Sequence, residues 1–413
     1  MLLLRAFSTF SATSGLKVNP SKSEVVFCGV DDAVKKDILQ IFGFREGHLP
    51  FKYLGVLIQP GRLSKQDCAI LVERIVNRVR SIGAKKMSYA GRLTLVNSVL
   101  NTLHNYWGSI FLIPKSVIKR IEVVCRNYFW DGGTEYNRAP LVAWHTICSS
   151  KKEGGLGVKN AELWNAASVG KLVNWIYTKA DRLWVLWVDH VYLKGQGWHT
   201  YEPPPDSNWN WRNICKIRKL LAMGYVGDQW TPDVKGYTVK SGYHLLQGQH
   251  PPVQWYKEVW DSWFLPKHSI IGWLIKHEAL NLREKLHRLN ICENNLCVIC
   301  EKETETHQHL FTQCEYSRYV VLLLENWLKT ALDGSAQGLS QMQQDICKMV
   351  QITVWYYLWM ERNKCRLELA VRRPETLVKE IKNFICTRVK MKMKMHVPVS
   401  NENRLWLSLI AIV

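Results

Sequence analysis

The most informative stretch of the chain is Cys297-Val298-Ile299-Cys300, then eight residues, His309, four residues and Cys314. A Cys-x2-Cys turn aims two thiolates at one ion. A later His and Cys complete a tetrahedral set that leaves no position for a substrate. Thiolate and imidazole donors suit Zn²⁺ in a structural role. Spacing leaves a second reading open, buried cysteines beside a surface histidine pair, because short motifs also match by chance. It also leaves His307 as a rival for the third ligand, since His307 and His309 straddle Gln308. Cys292 falls too early to join the tight turn.

Cys28, Cys68, Cys125, Cys148 and Cys215 are widely and irregularly spaced within 413 residues. That is no disulfide framework; it suits a reducing compartment and buried thiols. The expected location is therefore nuclear or cytoplasmic, not secreted. Hydrophobic content of 47% with 22% charged residues belongs to a globular chain, and this length can build two or three domains. A net charge of +20 favours polyanionic partners, RNA or DNA first and an anionic membrane second. No run approaches the ~18 apolar residues of a membrane span. Leu405 to Val413 is too short to cross a bilayer and reads as a strand or packing segment. Met1 to Lys22 carries Arg5, several serines and no acid, which imitates a transit peptide.

Periodicity predicts a helix through Leu2, Leu3, Ala6, Phe7 and Phe10, ended by Ser14-Gly15, and short strands at Val25-Val26-Phe27 and Leu54 to Ile58. From Ser64 to about Trp130 the pattern is helical. Ile70, Leu71, Ile75 and Val79 mark one face; Leu93, Val96, Val99 and Leu100 mark a second; Pro114 starts a third helix. Residues 160–235 are Trp-rich with weak periodicity, and Gly334 to Gln344 reads as a linker before a helix carrying Trp355 and Trp359. Lys390-Met391-Lys392-Met393-Lys394-Met395 would put its lysines on one face only as a strand.

Between residues 61 and 130 twelve basic residues are opposed by Asp67, Glu73 and Glu122 alone. Arg74, Arg78 and Lys85 fall near one another on a helical wheel, so this face either tracks phosphates or is simply solvated. The tryptophans could stack on single-stranded bases, but pairs such as Trp355 and Trp359 at i, i+4 more often pack in a core. Asp31-Asp32 imitates a two-metal carboxylate pair but reads more simply as an N-cap and a first-turn acid. The chain has no phosphate-binding loop, nucleophile elbow or His-Glu-x-x-His motif.

Read in order, the motifs resemble one family. Ser14-Gly15-Leu16-Lys17-Val18-Asn19-Pro20-Ser21-Lys22-Ser23 is similar to the segment after the catalytic strand in reverse transcriptases of LINE-like, non-LTR retrotransposons of plants. Phe51-Lys52-Tyr53-Leu54-Gly55-Val56 resembles the close of the palm. Ser88-Tyr89-Ala90-Gly91-Arg92-Leu93, Tyr106-Trp107, Ile113-Pro114-Lys115 and Asn127-Tyr128-Phe129-Trp130 resemble the helical thumb-like region, continued by Trp144 and Lys152-Glu153-Gly154-Gly155-Leu156-Gly157. Tyr237-Thr238-Val239-Lys240-Ser241-Gly242-Tyr243, Pro266-Lys267, Trp273 and the cysteine motif resemble the reverse-transcriptase zinc-binding domain, and Trp359-Met360-Glu361-Arg362-Asn363 the helix behind it.

The resemblance implies an α+β, mainly α-helical protein: a truncated palm edge (1–60), a helical thumb-like region (61–158), a Trp-rich connection (159–235), a small zinc-binding module (236–330) and a helical tail (345–413). It implies structural Zn²⁺ on Cys297, Cys300, His309 and Cys314, selecting His309 over His307. It further implies template-primer contacts from Lys22, Lys52, Arg74, Arg78, Lys85, Arg92, Lys115 and Lys119, with no membrane and no small-molecule substrate. The family's catalytic aspartates belong upstream of Ser14-Gly15. The N-terminal helix then belongs inside the palm and is no transit peptide. The expected function is a non-catalytic fragment that binds zinc and nucleic acid. The alternatives are a piece of an RNA-directed DNA polymerase needing the missing palm, and an interaction scaffold or pseudogene product without a selected role.

Overall fold

The structure, a computed structural model, describes residues 2–27, 29–53, 56–59, 61–82, 87–135, 139–248, 250–332, 341–368 and 370–396. Lys85 and the apolar segment 405–413 lie outside the described residues. In chain order the helices are α1 (Leu2–Ser14), α2 (Asp32–Phe42), α3 (Ala69–Ile82), α4 (Tyr89–Ser98), α5 (Asn105–Ile110), α6 (Lys115–Asp131), α7 (Trp144–Cys148), α8 (Ala161–Tyr177) and α9 (Leu183–Val188). They continue with α10 (Trp209–Leu221), α11 (Val239–Gln247), α12 (Tyr256–Val259), α13 (Pro266–Lys276), α14 (Arg283–Arg288), α15 (Glu315–Leu332), α16 (Gln341–Glu368) and α17 (Pro374–His396).

The strands are short. Parallel β1 (Glu24–Val26) and β2 (Arg45–Gly47), antiparallel β3 (Phe51–Tyr53) and β4 (Val56–Ile58), and antiparallel β5 (Tyr225–Val226) and β6 (Gln229–Trp230) make three two-stranded pairs. The mainly helical α+β class expected from the sequence is the observed one.

Local signals set the helix ends. Gly15 and Gly43, both with positive φ, follow α1 and α2. Ahead of α3, the Ser64 amide donates to Asp67 at 2.6 Å and the Asp67 amide to the Ser64 hydroxyl at 3.1 Å. Asp31 occupies the N-cap position of α2 without a side-chain cap bond, and Asp32 in the first turn pairs with Lys35 at 2.8 Å. The strand expected over Leu54 to Ile58 is β4 from Val56, and residues 54 and 55 lie outside the description. Residues 341–344 of the expected linker form the start of α16, and residues 390–395 are the last turns of α17, not a strand.

Residues group into two compact units. The first comprises Met1–Arg74, Leu103–Ile121 and Ala161–Gly248; the second comprises Ile75–Thr102, Glu122–Asn160 and Gln249–Val413. In the first, α5, α10 and α11 pack around α8. Asn165 of α8, 1% exposed, donates to the Gly108 and Phe111 carbonyls at 2.7 and 2.8 Å and accepts the Ile113 amide at 2.8 Å. Three bonds from one buried amide satisfy the C-terminal end of α5, whose last carbonyls have no partner within their own helix. Gly170 and Gly242 leave room for the Tyr237 hydroxyl, which donates to the Ala167 carbonyl at 2.5 Å. Through that contact α11, which the sequence groups with the metal-ligand segment, joins α8 and α10.

The Trp-rich stretch is an aromatic core. Trp198, Trp211 and Trp230 are buried, Tyr192 stacks on Trp211 at 4.4 Å, and Tyr177 stacks on Tyr225 at 4.0 Å. Its weak periodicity reflects short helices buried on more than one side. An exposed apolar patch of the kind an interaction scaffold would present is formed by Leu183, Leu186 and Trp187 on α9.

In the second unit α13 packs against α4 and α16, and α15 against α17. Trp273, fully buried on α13, donates from Nε1 to the Gly154 carbonyl at 2.8 Å, and His277 Nε2 meets the same oxygen at 2.8 Å. A side chain at Gly155 would collide with the Ser149 and Thr146 backbone. The Gly-rich turn is therefore a close-packed anchor for α13.

His268 on the same helix is 1% exposed, lies 3.3 Å from the Thr353 hydroxyl and stacks on Tyr356 at 4.3 Å. Burial, reinforced by Lys267 and Arg388, pushes its pKa down to about 3. The folded ring stays neutral while the unfolded chain takes up a proton below about pH 6.5, so acid favours unfolding across the window from 6.5 to 3. Denaturant titrations over that window should show His268 contributing up to about 1.4 kcal/mol of stability loss per pH unit. His268→Gln should remove that part of the slope; an unaltered slope would refute the assignment.

Candidate metal centre

The Cys297–Cys300 turn closes against an isolated antiparallel bridge between Leu296 and Thr304. The Cys297 amide donates to the Glu303 carbonyl at 2.7 Å and the Glu301 amide to the Cys297 carbonyl at 2.9 Å. Glu301 takes φ 55°, the left-handed region, which lets the chain reverse within so few residues. Beyond it, His309–Gln313 form a π-helical turn in which the Cys314 amide reaches the His309 carbonyl at 2.7 Å. The turn points His309 and Cys314 at the first two cysteines, and α15 begins directly after Cys314.

The four donors all lie within 4.8 Å of one another, and the Cys300 sulfur is 3.3 Å from His309 Nε2. Tetrahedral zinc, with Zn–S about 2.3 Å and Zn–N about 2.0 Å, separates its donors by ~3.5–3.8 Å. The set fits that ion in size and chemistry. Cys297, His309 and Cys314 are buried and Cys300 is half-buried. His309 Nδ1 sits 3.0 Å from Glu303 Oε2, which fixes Nδ1 as the protonated nitrogen and turns the Nε2 lone pair toward the sulfurs. The Cys314 thiol is held well below its ordinary pKa by the Cys297 S–H and by the Ser317 and Tyr316 amides opening α15. Cys297, which carries the shared proton, is correspondingly held up.

His307 is elsewhere: its Nε2 accepts the Leu280 amide at 3.2 Å. Cys292 makes contacts with the Arg283 and Asn294 carbonyls, apart from the cluster. The rivalry left open by spacing therefore resolves geometrically, with His309 in the cluster.

Behind the cluster lies a buried ion pair that the sequence reading did not find. Glu305 and Arg362, 0% and 1% exposed, meet in two bonds of 3.0 and 2.7 Å. The Arg283 amide adds a bond of 2.7 Å to the same carboxylate. Cys365 donates to the Val298 carbonyl at 3.2 Å. The ligand turn is thus fastened to α16 by groups lying between and beyond the ligands.

The basic residues expected to face nucleic acid divide. Lys22, Lys52, Arg74, Arg78, Lys115 and Lys119 are exposed, with Arg74 and Arg78 one turn apart on α3. Lys115 is 2.7 Å from the half-buried Glu162 carboxylate. Arg92 is a correction: it is 8% exposed, and its Nη1 donates to the Trp130 carbonyl at 2.8 Å and the Phe129 carbonyl at 3.4 Å, capping the end of α6. Its position on the α4 face that also buries Val96 explains this.

Residues 237–320 match the family described as zinc-binding in reverse transcriptase. A stretch of 175 residues is 33% identical to a protein of Arabidopsis thaliana provisionally named a ribonuclease H protein; it covers 41% of this chain and 28% of that one. The chain thus spans less than a third of that relative's length.

Metal analysis of the full chain should find about one zinc per molecule, lost in Cys300→Ser and in His309→Ala. Unaltered zinc content in both variants would overturn the ligand set. Glu305→Gln strands a buried guanidinium and should cost about 3 kcal/mol in chemical denaturation. A loss within a few tenths of a kcal/mol would show that the pair fastens nothing.

Proposed function

We propose that this chain is a C-terminal segment of a LINE-type retrotransposon reverse transcriptase that binds nucleic acid without catalysis of its own. A closed structural zinc site organises the module that contains it. The observation that carries this reading joins the geometry to the family match. A Cys₃His cluster, its four donors within 4.8 Å of one another, sits inside residues 237–320, the span that matches the zinc-binding family of reverse transcriptase. Four protein ligands complete the coordination of such an ion, so its contribution is folding and not substrate activation.

The nucleic-acid part rests on charge and placement. The chain carries +20, and Lys22, Lys52, Arg74, Arg78 and Lys119 project from exposed positions. Phosphate contacts by such side chains release counterions, so affinity falls steeply with salt. No described helix is long and apolar enough to cross a membrane.

Binding of labelled single-stranded RNA or DNA, followed by anisotropy from about 50 to 200 mM salt, should weaken by two or more orders of magnitude. Replacing Arg74 and Arg78 together by Gln should lower the salt slope by about 2. Affinity independent of salt would remove the nucleic-acid reading.

A further inference from the structure

A cavity of about 510 Å³ in the second unit lies apart from the metal centre, bounded by the start of α4, the end of α6, α13 and α16. Its walls combine two chemistries. Tyr89, Tyr356 and Trp359 supply aromatic rings. Lys267 is exposed at the edge, 4.9 Å from the Tyr356 ring, and the first turn of the ten-residue helix α4 adds its positive pole beside Ser88.

Trp130, 4% exposed, adds a further ring to the wall. Asp131, exposed at the rim, is an acceptor suited to an amino or hydroxyl group. Arg92 holds its charge in the wall while its Nη1 binds the α6 carbonyls.

We propose that this cavity takes one unpaired nucleotide of a nucleic-acid strand. The base lies among Tyr89, Tyr356 and Trp359, and the phosphate lies at Lys267 and the start of α4. The volume is that of a small-ligand site and admits no base-paired duplex. Stacking tolerates every base, and cation–aromatic interleaving is the chemistry of single-strand recognition. His268 stacks on Tyr356 and Lys267 lies over the same ring, so Tyr89 and Trp359 supply most of the stacking surface. The assignment rests on the nucleic-acid reading above and adds which part of a strand is held.

The test uses the full zinc-loaded chain and three probes at fixed salt: a blunt DNA duplex, the same duplex with an unpaired 3′ tail, and a free mononucleotide as competitor. The wild type should bind the tailed duplex about tenfold tighter than the blunt one, as expected for one stacked base. Lys267→Gln, at an exposed position, and Trp130→Phe, which trims the wall of the cavity, should each lower that preference while leaving the blunt duplex unaffected. Equal binding of tailed and blunt duplex, or variants that keep the full preference, would overturn the pocket and leave the nucleic-acid reading standing. A mononucleotide that competes as well as the tail overturns the strand assignment. Failure of the wild type to bind either duplex sinks both readings.

Discussion

Two side chains 57 residues apart, Glu305 and Arg362, meet out of water, and the arrangement around the metal ligands depends on them. A buried carboxylate or guanidinium left alone costs several kcal/mol, so neither can be solvated in place or released singly. The Glu305 carboxylate also takes the Arg283 amide, which brings α14 into the same knot. Next to Arg362, Glu361 is equally buried and binds Arg372, which in turn reaches Glu380 on α17. Consecutive acid and base on one helix thus serve two directions, one toward the ligand turn and one toward the tail.

The same logic recurs wherever this helical protein must join non-consecutive pieces. Helix ends leave carbonyls without partners, and here distant polar side chains satisfy them: Asn165 for α5, Arg92 for α6, and Trp273 with His277 for Gly154. Short strands contribute little to this architecture. Rigidity comes from buried donors that each serve a specific carbonyl, with aromatic packing filling the volume between them. That division suits a protein whose surface carries a large positive charge, because folding then needs few surface ion pairs.

How much of this was legible depended on the range of the interaction. The Cys-x2-Cys turn, the Ser14-Gly15 helix stop and the Pro114 start are local signals, and the structure follows each. Spacing could not separate His307 from His309, because the choice is made by a π-helical turn and by Glu303, neither of which has a pattern in the sequence. Arg92 counted as a surface cation, although its place four residues before Val96 already put it on the buried face. Glu305 and Arg362 both lay within recognised motifs, but nothing in either motif says that it faces the other. The Trp-rich stretch had no period to read because its rings pack against one another from short helices and turns.

The π-helical turn constrains how this chain can change in length. A one-residue deletion between His309 and Cys314 would restore α-helical spacing and swing the second thiol about a hundred degrees around the axis, away from the ion. Insertions and deletions are therefore excluded from that interval. The same holds for the reversal before it, where Glu301 takes the left-handed conformation and Glu303 meets both the Cys297 amide and His309.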